Sequence, residues 1–205
     1  MPENKIILDL CGGTGAWSRP YAEAGYDVRN ITLPDYDVRD VIVQELPKVY
    51  GVLAAPPCHH FAGSGAQYWK EKDGDGRTKE ALDIVHACLD IIEYAGPHFW
   101  ALENPVGRLG ELLKHRLGEI SMIFNPCEYA GWANEPEQEA YTKKTCLWGN
   151  FWPPTKKPFI INRGLSAKKD YVTPVWKYGG KSERTKTLRS ITPSGFATAF
   201  FEANR

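Results

Sequence analysis

Lys5-Ile-Ile-Leu-Asp-Leu10 runs without a turn residue straight into Cys11-Gly-Gly-Thr-Gly15. A short apolar run of this kind reads as a buried strand. The glycines behind it let the backbone turn tightly and stay open to a ligand. A helix is expected from about Ser18 to Ala24, and the pairing then repeats. Residues 26–33 and 52–55 read as strands, the second stopped by Pro56-Pro57. Residues 78–94 carry apolar side chains at 81, 82, 84, 85, 88, 89, 91 and 92, the spacing of a helix face. Residues 99–103, 118–124 and 145–149 read as further strands, and 193–204 as a turn into a last helix. Strands alternating with helices predict an α/β fold with a mostly parallel, doubly wound sheet. Residues 63–77, rich in Gly and Asp, read as a mobile loop.

Composition narrows the class. At 205 residues the chain is expected to form one domain. Hydrophobic residues make up 42% and charged residues 24%, an ordinary globular mix that excludes wholesale disorder. No run approaches the length of a membrane span. The start lacks the apolar core of a secretory signal, so a cytoplasmic location is expected. The five cysteines (11, 58, 88, 127 and 146) include no CxxC pair, so neither a disulfide framework nor a structural zinc site is expected. The zero net charge hides an asymmetry: residues 151–205 sum to +8 and residues 1–150 to −8. A basic tail on an acidic body fits an anionic partner or a solvated lysine-rich stretch.

Three strand ends carry the polar residues of interest, and in open α/β sheets ligands bind outside the carboxyl ends of the strands. Asp9-Leu-Cys-Gly-Gly-Thr-Gly15 could cradle a nucleotide-like ligand or be only a tight turn; Ser18 stands where the third glycine of a dinucleotide fingerprint would. Pro56-Pro-Cys58-His-His-Phe61 holds a cysteine on a turn stiffened by proline. Such a thiol is a candidate nucleophile near cations, or a small buried side chain. His59 and His60 beside it invite a metal reading, but no second ligand pair accompanies them and no metal is expected. His86 and His98 read as structural. Glu103-Asn-Pro105 puts a carboxyl where it could bond a base edge; Asn104 before Pro105 also reads as a helix N-cap.

Taken together and in this order, these motifs resemble those of the cytosine-C5 DNA methyltransferases. That family shows D-L-F-x-G-x-G at the first strand end, then P-C-Q-x-F-S, then E-N-V. The corresponding residues here are Asp9-Leu-Cys-Gly-Gly-Thr-Gly15, Pro57-Cys-His-His-Phe-Ala62 and Glu103-Asn-Pro105. Asp37-Val38 is similar to the family's Asp-Ile pair that meets the adenine of S-adenosylmethionine. Tyr141-Thr-Lys-Lys-Thr145 is similar to its basic strand-entry segment, and residues 189–197 resemble the compact phage-type members, whose last helix returns to the cofactor. The departures are Cys11 for Phe, His59 for Gln, Ala62 for Ser and Pro105 for Val. The interval before Asp37 is too short for a normal helix, so the family's ribose-binding acid has no clear counterpart here, Asp35 being a weak candidate.

The resemblance implies a Rossmann-like S-adenosylmethionine-dependent methyltransferase fold. It divides the chain into a catalytic core over 1–152, a short basic substrate-binding insert over 153–187 and a C-terminal helix over 188–205. It implies methylation of cytosine C5 in DNA, with S-adenosylmethionine as cofactor. Cys58 would add to C6 of a flipped base while Glu103, beside Asn104, stabilises the ring nitrogen. Asp9, Cys11, Gly13, Gly15, Asp37, Val38 and Ser194 would hold the cofactor. Lys143, Lys144, Lys181, Arg184 and Arg189 would hold nucleic acid, and the 63–77 loop would close over the base. Only about 35 residues are available for target recognition, so weak sequence selectivity is expected. RNA or a free cytosine nucleotide as acceptor, and a non-catalytic DNA- or protein-binding role, are the alternatives. A monomer is expected, and a phage-encoded restriction-modification protein acting in a bacterial cytoplasm fits the resemblance.

Overall fold

The computed structural model describes residues 5–159 and 190–205. Its sheet is built outward from β1 (Ile6–Leu10), which is buried along its whole length. β1 pairs in parallel with β2 (Asp27–Ile31) on one side and β3 (Gly51–Ala54) on the other. β4 (Phe99–Pro105) runs parallel beside β3. β6 (Thr145–Asn150) enters antiparallel between β4 and β5 (Met122–Phe124). The order β2-β1-β3-β4-β6-β5, with that one reversed strand, is a Rossmann-like α/β sheet. The expected α/β class and mostly parallel sheet therefore hold.

Among the described residues the helices are α1 (Arg19–Glu23), α2 (Trp69–Gly74), α3 (Arg77–Ala95), α4 (Leu109–Leu112), α5 (Lys114–Leu117), α6 (Pro136–Glu139) and α7 (Ser194–Ala203). Strand side chains alternate between the two faces of the sheet. Ile6, Leu8 and Leu10 join Val52, Leu102 and Trp148 in a core covered by Ala81, Val85, Cys88, Leu89 and Ile92 of α3. Ile7, Leu53, Phe99 and Ala101 face the other way, onto Trp17, Tyr21 of α1 and Phe196 and Phe200 of α7. Phe196 stacks on Phe124 at 3.8 Å, and Phe200 meets Trp17 edge-on at 5.5 Å. The last helix is thus seated beside the residues that follow the glycine turn. No helix among the described residues is long and apolar enough to cross a membrane.

Three local expectations are corrected. Residues 63–77 are not an irregular loop: a 3-10 turn (Gly63–Tyr68) leads into α2 and then α3. The glycines and aspartates that suggest a loop are outweighed by the packing of Trp69 under Arg108, described below. Asn104 is not a helix N-cap, because β4 continues through Pro105, which pairs with Thr145 in the antiparallel ladder. The strand expected over 118–124 is confined to its last three residues, with Gly118 ending α5 in a left-handed conformation at φ 68°. As the short interval before Asp37 implied, no α-helix lies between β2 and Asp37; 3-10 turns at Val38–Asp40 and Val43–Glu45 then lead to β3.

Candidate active site

The glycine turn emerges from β1 above a buried carboxylate. Asp9 faces away from α3 and is fully buried; Ser18 Oγ donates to its Oδ2 at 2.5 Å. Burial pushes its pKa up from 3.8 to about 6, against the lowering effect of the Ser18 bonds. Gly12 is required by this carboxyl: a Cβ there would lie 2.3 Å from Asp9 Cγ. Cys11 and Gly13 both adopt positive φ, 57° and 55°. The turn is held from β2: the Cys11 amide donates to Ile31 O at 2.8 Å, the Gly13 amide to Thr32 Oγ1 at 3.2 Å, and Asn30 Nδ2 to Gly13 O at 3.1 Å.

The turn fits a ligand such as S-adenosylmethionine on two counts. A Cβ built on Gly13 meets nothing within 4 Å, so the space above that backbone is open. Asp9 Oδ1 and Asn30 Oδ1 are buried acceptors without a hydrogen-bond partner among the described residues. Buried acceptors left unpaired are unusual and suit a ligand that brings donors. The half-buried Cys11 packs against the α3 side of the core. The neighbouring Cys11 thiol, together with burial, pushes the Cys88 thiol well above its ordinary range.

Asp37 precedes the 3-10 turn that buries Val38. Its carboxylate accepts from the Arg39 amide at 2.9 Å and from the Arg39 guanidinium, which holds it below the usual carboxylate range. Tyr36 beside it is 66% exposed. Asp35 is exposed on the same turn.

The other two motifs meet at the ends of β3 and β4. The register that pairs Ala54 with Leu102 brings the Pro56-Pro57-Cys58 turn alongside Glu103 and Asn104. Asn104 is fully buried, and its Nδ2 donates to Pro56 O at 3.1 Å. Cys58 is half-buried, in no disulfide, and its carbonyl accepts from the amides of Phe61 and Ala62 at 2.9 Å each. Glu103 sits on the sheet face opposite Asn104. Burial raises the Glu103 pKa, while the positive charge of Lys143 pulls it down. The charge of Lys143, in the basic segment before β6, thus acts on this carboxyl, while Lys144 is exposed and its carbonyl receives the Val106 amide at 3.3 Å. Among the described residues no three His, Cys, Asp or Glu side chains gather into a metal-holding group.

The chain is similar to methyltransferases. It is 23% identical over 140 residues to the type II methyltransferase M.FnuDI of Fusobacterium nucleatum, covering 60% of this chain and 39% of that one. It thus spans about two fifths of the length of that relative. No family model matches. Among solved structures, the methyltransferase EhMeth of Entamoeba histolytica superposes with a TM-score of 0.49 at 11% identity, over 77% of this chain and 58% of that one. A prophage-encoded protein of E. coli assigned as a DNA modification methyltransferase gives 0.41 at 14% identity, over 72% and 47%.

Ser194 opens α7, where its amide and hydroxyl both donate to Glu139 Oε1, at 2.6 and 2.7 Å. The Gly195 amide donates to Glu139 Oε2 at 2.8 Å. Glu139 of α6, which sequence reasoning did not single out, therefore holds the start of the last helix. Lys181, Arg184, Arg189 and most of the 153–187 insert lie outside the described residues. Two further residues were missed. Ser18 bonds Asp9, and its place in the glycine pattern was the available signal. Arg108 grips the chain that follows Cys58, and nothing in its local sequence announced that.

Proposed function

We propose that the protein is a methyltransferase acting on C5 of cytosine in DNA, with S-adenosylmethionine bound at the glycine turn. The observation that carries this reading is the bond from Asn104 to the Pro56 carbonyl, which joins the cysteine turn to the strand end bearing Glu103. A candidate nucleophile and a candidate acid thereby share one edge of the sheet with the open turn at Gly13.

Cytosine C5 is too weak a nucleophile to take a methyl group unaided. In the proposed reaction the Cys58 thiolate forms a bond to C6, and the ring's electron pair moves toward N3. Glu103, whose burial favours the protonated form, gives or shares its proton at N3 and so stabilises the charge that develops there. Lys143 limits how far that carboxyl is displaced and keeps its proton transferable. S-adenosylmethionine supplies the methyl group that C5 accepts. A base then removes the C5 proton, the electron pair returns to expel Cys58, and Glu103 recovers its proton. A duplex cytosine is reachable only when flipped out of the stack.

The test is transfer from radiolabelled S-adenosylmethionine to duplex DNA, RNA and dCMP in parallel. DNA is expected to be labelled, and Cys58→Ser to abolish labelling while leaving cofactor affinity in place. DNA carrying 5-fluorocytosine should trap a covalent adduct only when Cys58 is present. Labelling of RNA or dCMP alone would move the substrate class. Wild-type rates in the serine variant would end the covalent mechanism.

A further inference from the structure

Arg108 lies three residues beyond the end of β4, and its side chain is only 10% exposed. Two of its nitrogens reach the two oxygens of Asp73 at 2.8 Å each. A third bond goes to Thr78 Oγ1 at 3.0 Å, and Nε donates to the His60 carbonyl at 3.2 Å. The guanidinium lies 4.7 Å from the ring centre of Trp69. The backbone is stitched at the same place: the Arg108 amide donates to Phe61 O at 3.0 Å, and the Gly63 amide to Val106 O at 3.0 Å. Arg108 thus holds the chain two and three residues after Cys58 and ties it to α2 and α3. A planar fork with five donors can do this; a lysine ammonium cannot match its geometry.

We infer that Arg108 is a positioning residue that, with Asp73, fixes the Cys58 turn and sets residues 59–78 as a preformed wall of the active site. This rests on Cys58 being the nucleophile. The bonds to His60 and Phe61 act on carbonyls two and three residues along the chain from the thiol, while the pairing with Asp73 prevents the segment from swinging away. Catalytic geometry is sensitive to displacements of this kind: about 1 Å of misplacement can cost roughly 10²-fold in rate.

The experiment compares Arg108→Met, which keeps the stem over Trp69, with Asp73→Asn, which removes one charge from a half-exposed residue. Alkylation of each cysteine by iodoacetamide is followed by peptide mass spectrometry, beside kcat, cofactor affinity and acceptor KM. Cys58 alkylation should rise about fivefold or more in both variants as the turn loosens locally, with Cys88, Cys127 and Cys146 unchanged. The rate constant kcat should fall about 10²-fold in Arg108→Met and roughly tenfold in Asp73→Asn, with cofactor affinity held within about twofold. Arg108→Lys should restore less than about a tenth of the lost rate. Equal acceleration at all cysteines would mean a merely structural role and would overturn the inference. So would unchanged Cys58 alkylation in Asp73→Asn. If wild-type protein labels no acceptor, the proposed reaction fails, yet the alkylation pattern still decides whether Arg108 fixes this turn.

Discussion

The side-chain amide of Asn104 and the carbonyl of Pro56 are joined at 3.1 Å, 48 residues apart in sequence. Parallel pairing of β3 and β4 makes the bond possible, and burial of Asn104 gives it weight. Asn104→Ala should cost about 1–3 kcal/mol, the usual penalty for leaving a buried acceptor unsatisfied. Urea denaturation checks that figure. The variant should also lose transfer rate while keeping cofactor affinity, because the glycine turn does not share this bond.

Adjacent glycines in the turn should fail differently. Gly12→Ala drives a methyl into the Asp9 carboxyl, and overpacking of this kind costs roughly 1–3 kcal/mol. Gly13→Ala meets open space but must hold φ at 55°, a strain of about 1–2 kcal/mol. Gly13→Val should additionally obstruct the ligand's space and abolish S-adenosylmethionine binding by calorimetry. Unchanged affinity in that variant would place the cofactor elsewhere.

Glu103 and Lys143 make an opposed pair whose balance a pH-rate profile reads. Burial raises the Glu103 pKa and Lys143 lowers it. Lys143→Met removes the lowering charge, so the Glu103 pKa should rise further. The high-pH limb of kcat, where the proton is lost, should therefore move to higher pH, and Lys143→Arg should leave it near wild type. Movement to lower pH would contradict the role assigned to Glu103.

Two buried groups should give stability opposite dependences on pH. Asp9 has a folded pKa of about 6 against an ordinary 3.8. Between those values the folded chain keeps a proton that the unfolded chain releases, so this contribution is full below pH 3.8 and lost as pH rises through 6. His60 is 8% exposed, and its pKa is lowered from 6.5 to about 4, chiefly by burial. Its contribution is full above pH 6.5 and lost as pH falls through 4. Each amounts to about 3 kcal/mol at most. Relative to wild type, Asp9→Asn should gain stability between pH 4 and 7, and His60→Gln should lose it. Denaturation curves at pH 4, 5.5 and 7 measure both, and curves parallel to wild type would refute the assigned burial costs.

Much of the framework was legible because its signals are local. An unbroken apolar run, a glycine turn and a 3.6-residue stripe each describe elements that fold much as written, from β1 to α3 and α7. What was not legible depends on partners far away in sequence. Residues 63–77 carry the composition of a loop, yet Trp69 and Asp73 close on Arg108, 35 and more residues later. Asn104 before Pro105 matches a helix start, but the antiparallel arrival of β6 keeps β4 extended through both. At the site, the strand-end residues could be nominated from sequence. The partners they are given, Arg39 for Asp37, Lys143 for Glu103 and Glu139 for Ser194, could not.

The segment over 126–139 grips the chain on both sides of residues 160–189. Before them, Lys157 and Phe159 exchange backbone bonds with Cys127, Glu128 and Gly131 at 2.8–3.1 Å. After them, Ser194 and Gly195 close on Glu139. Departure and return are thus moored to one short stretch of the core, and neither mooring draws on the Cys58 turn or the glycine turn. The arrangement works as a clasp: a change within 126–139 is felt at Phe159 and at Ser194 together, while the Cys58 turn and the glycine turn stay as they are.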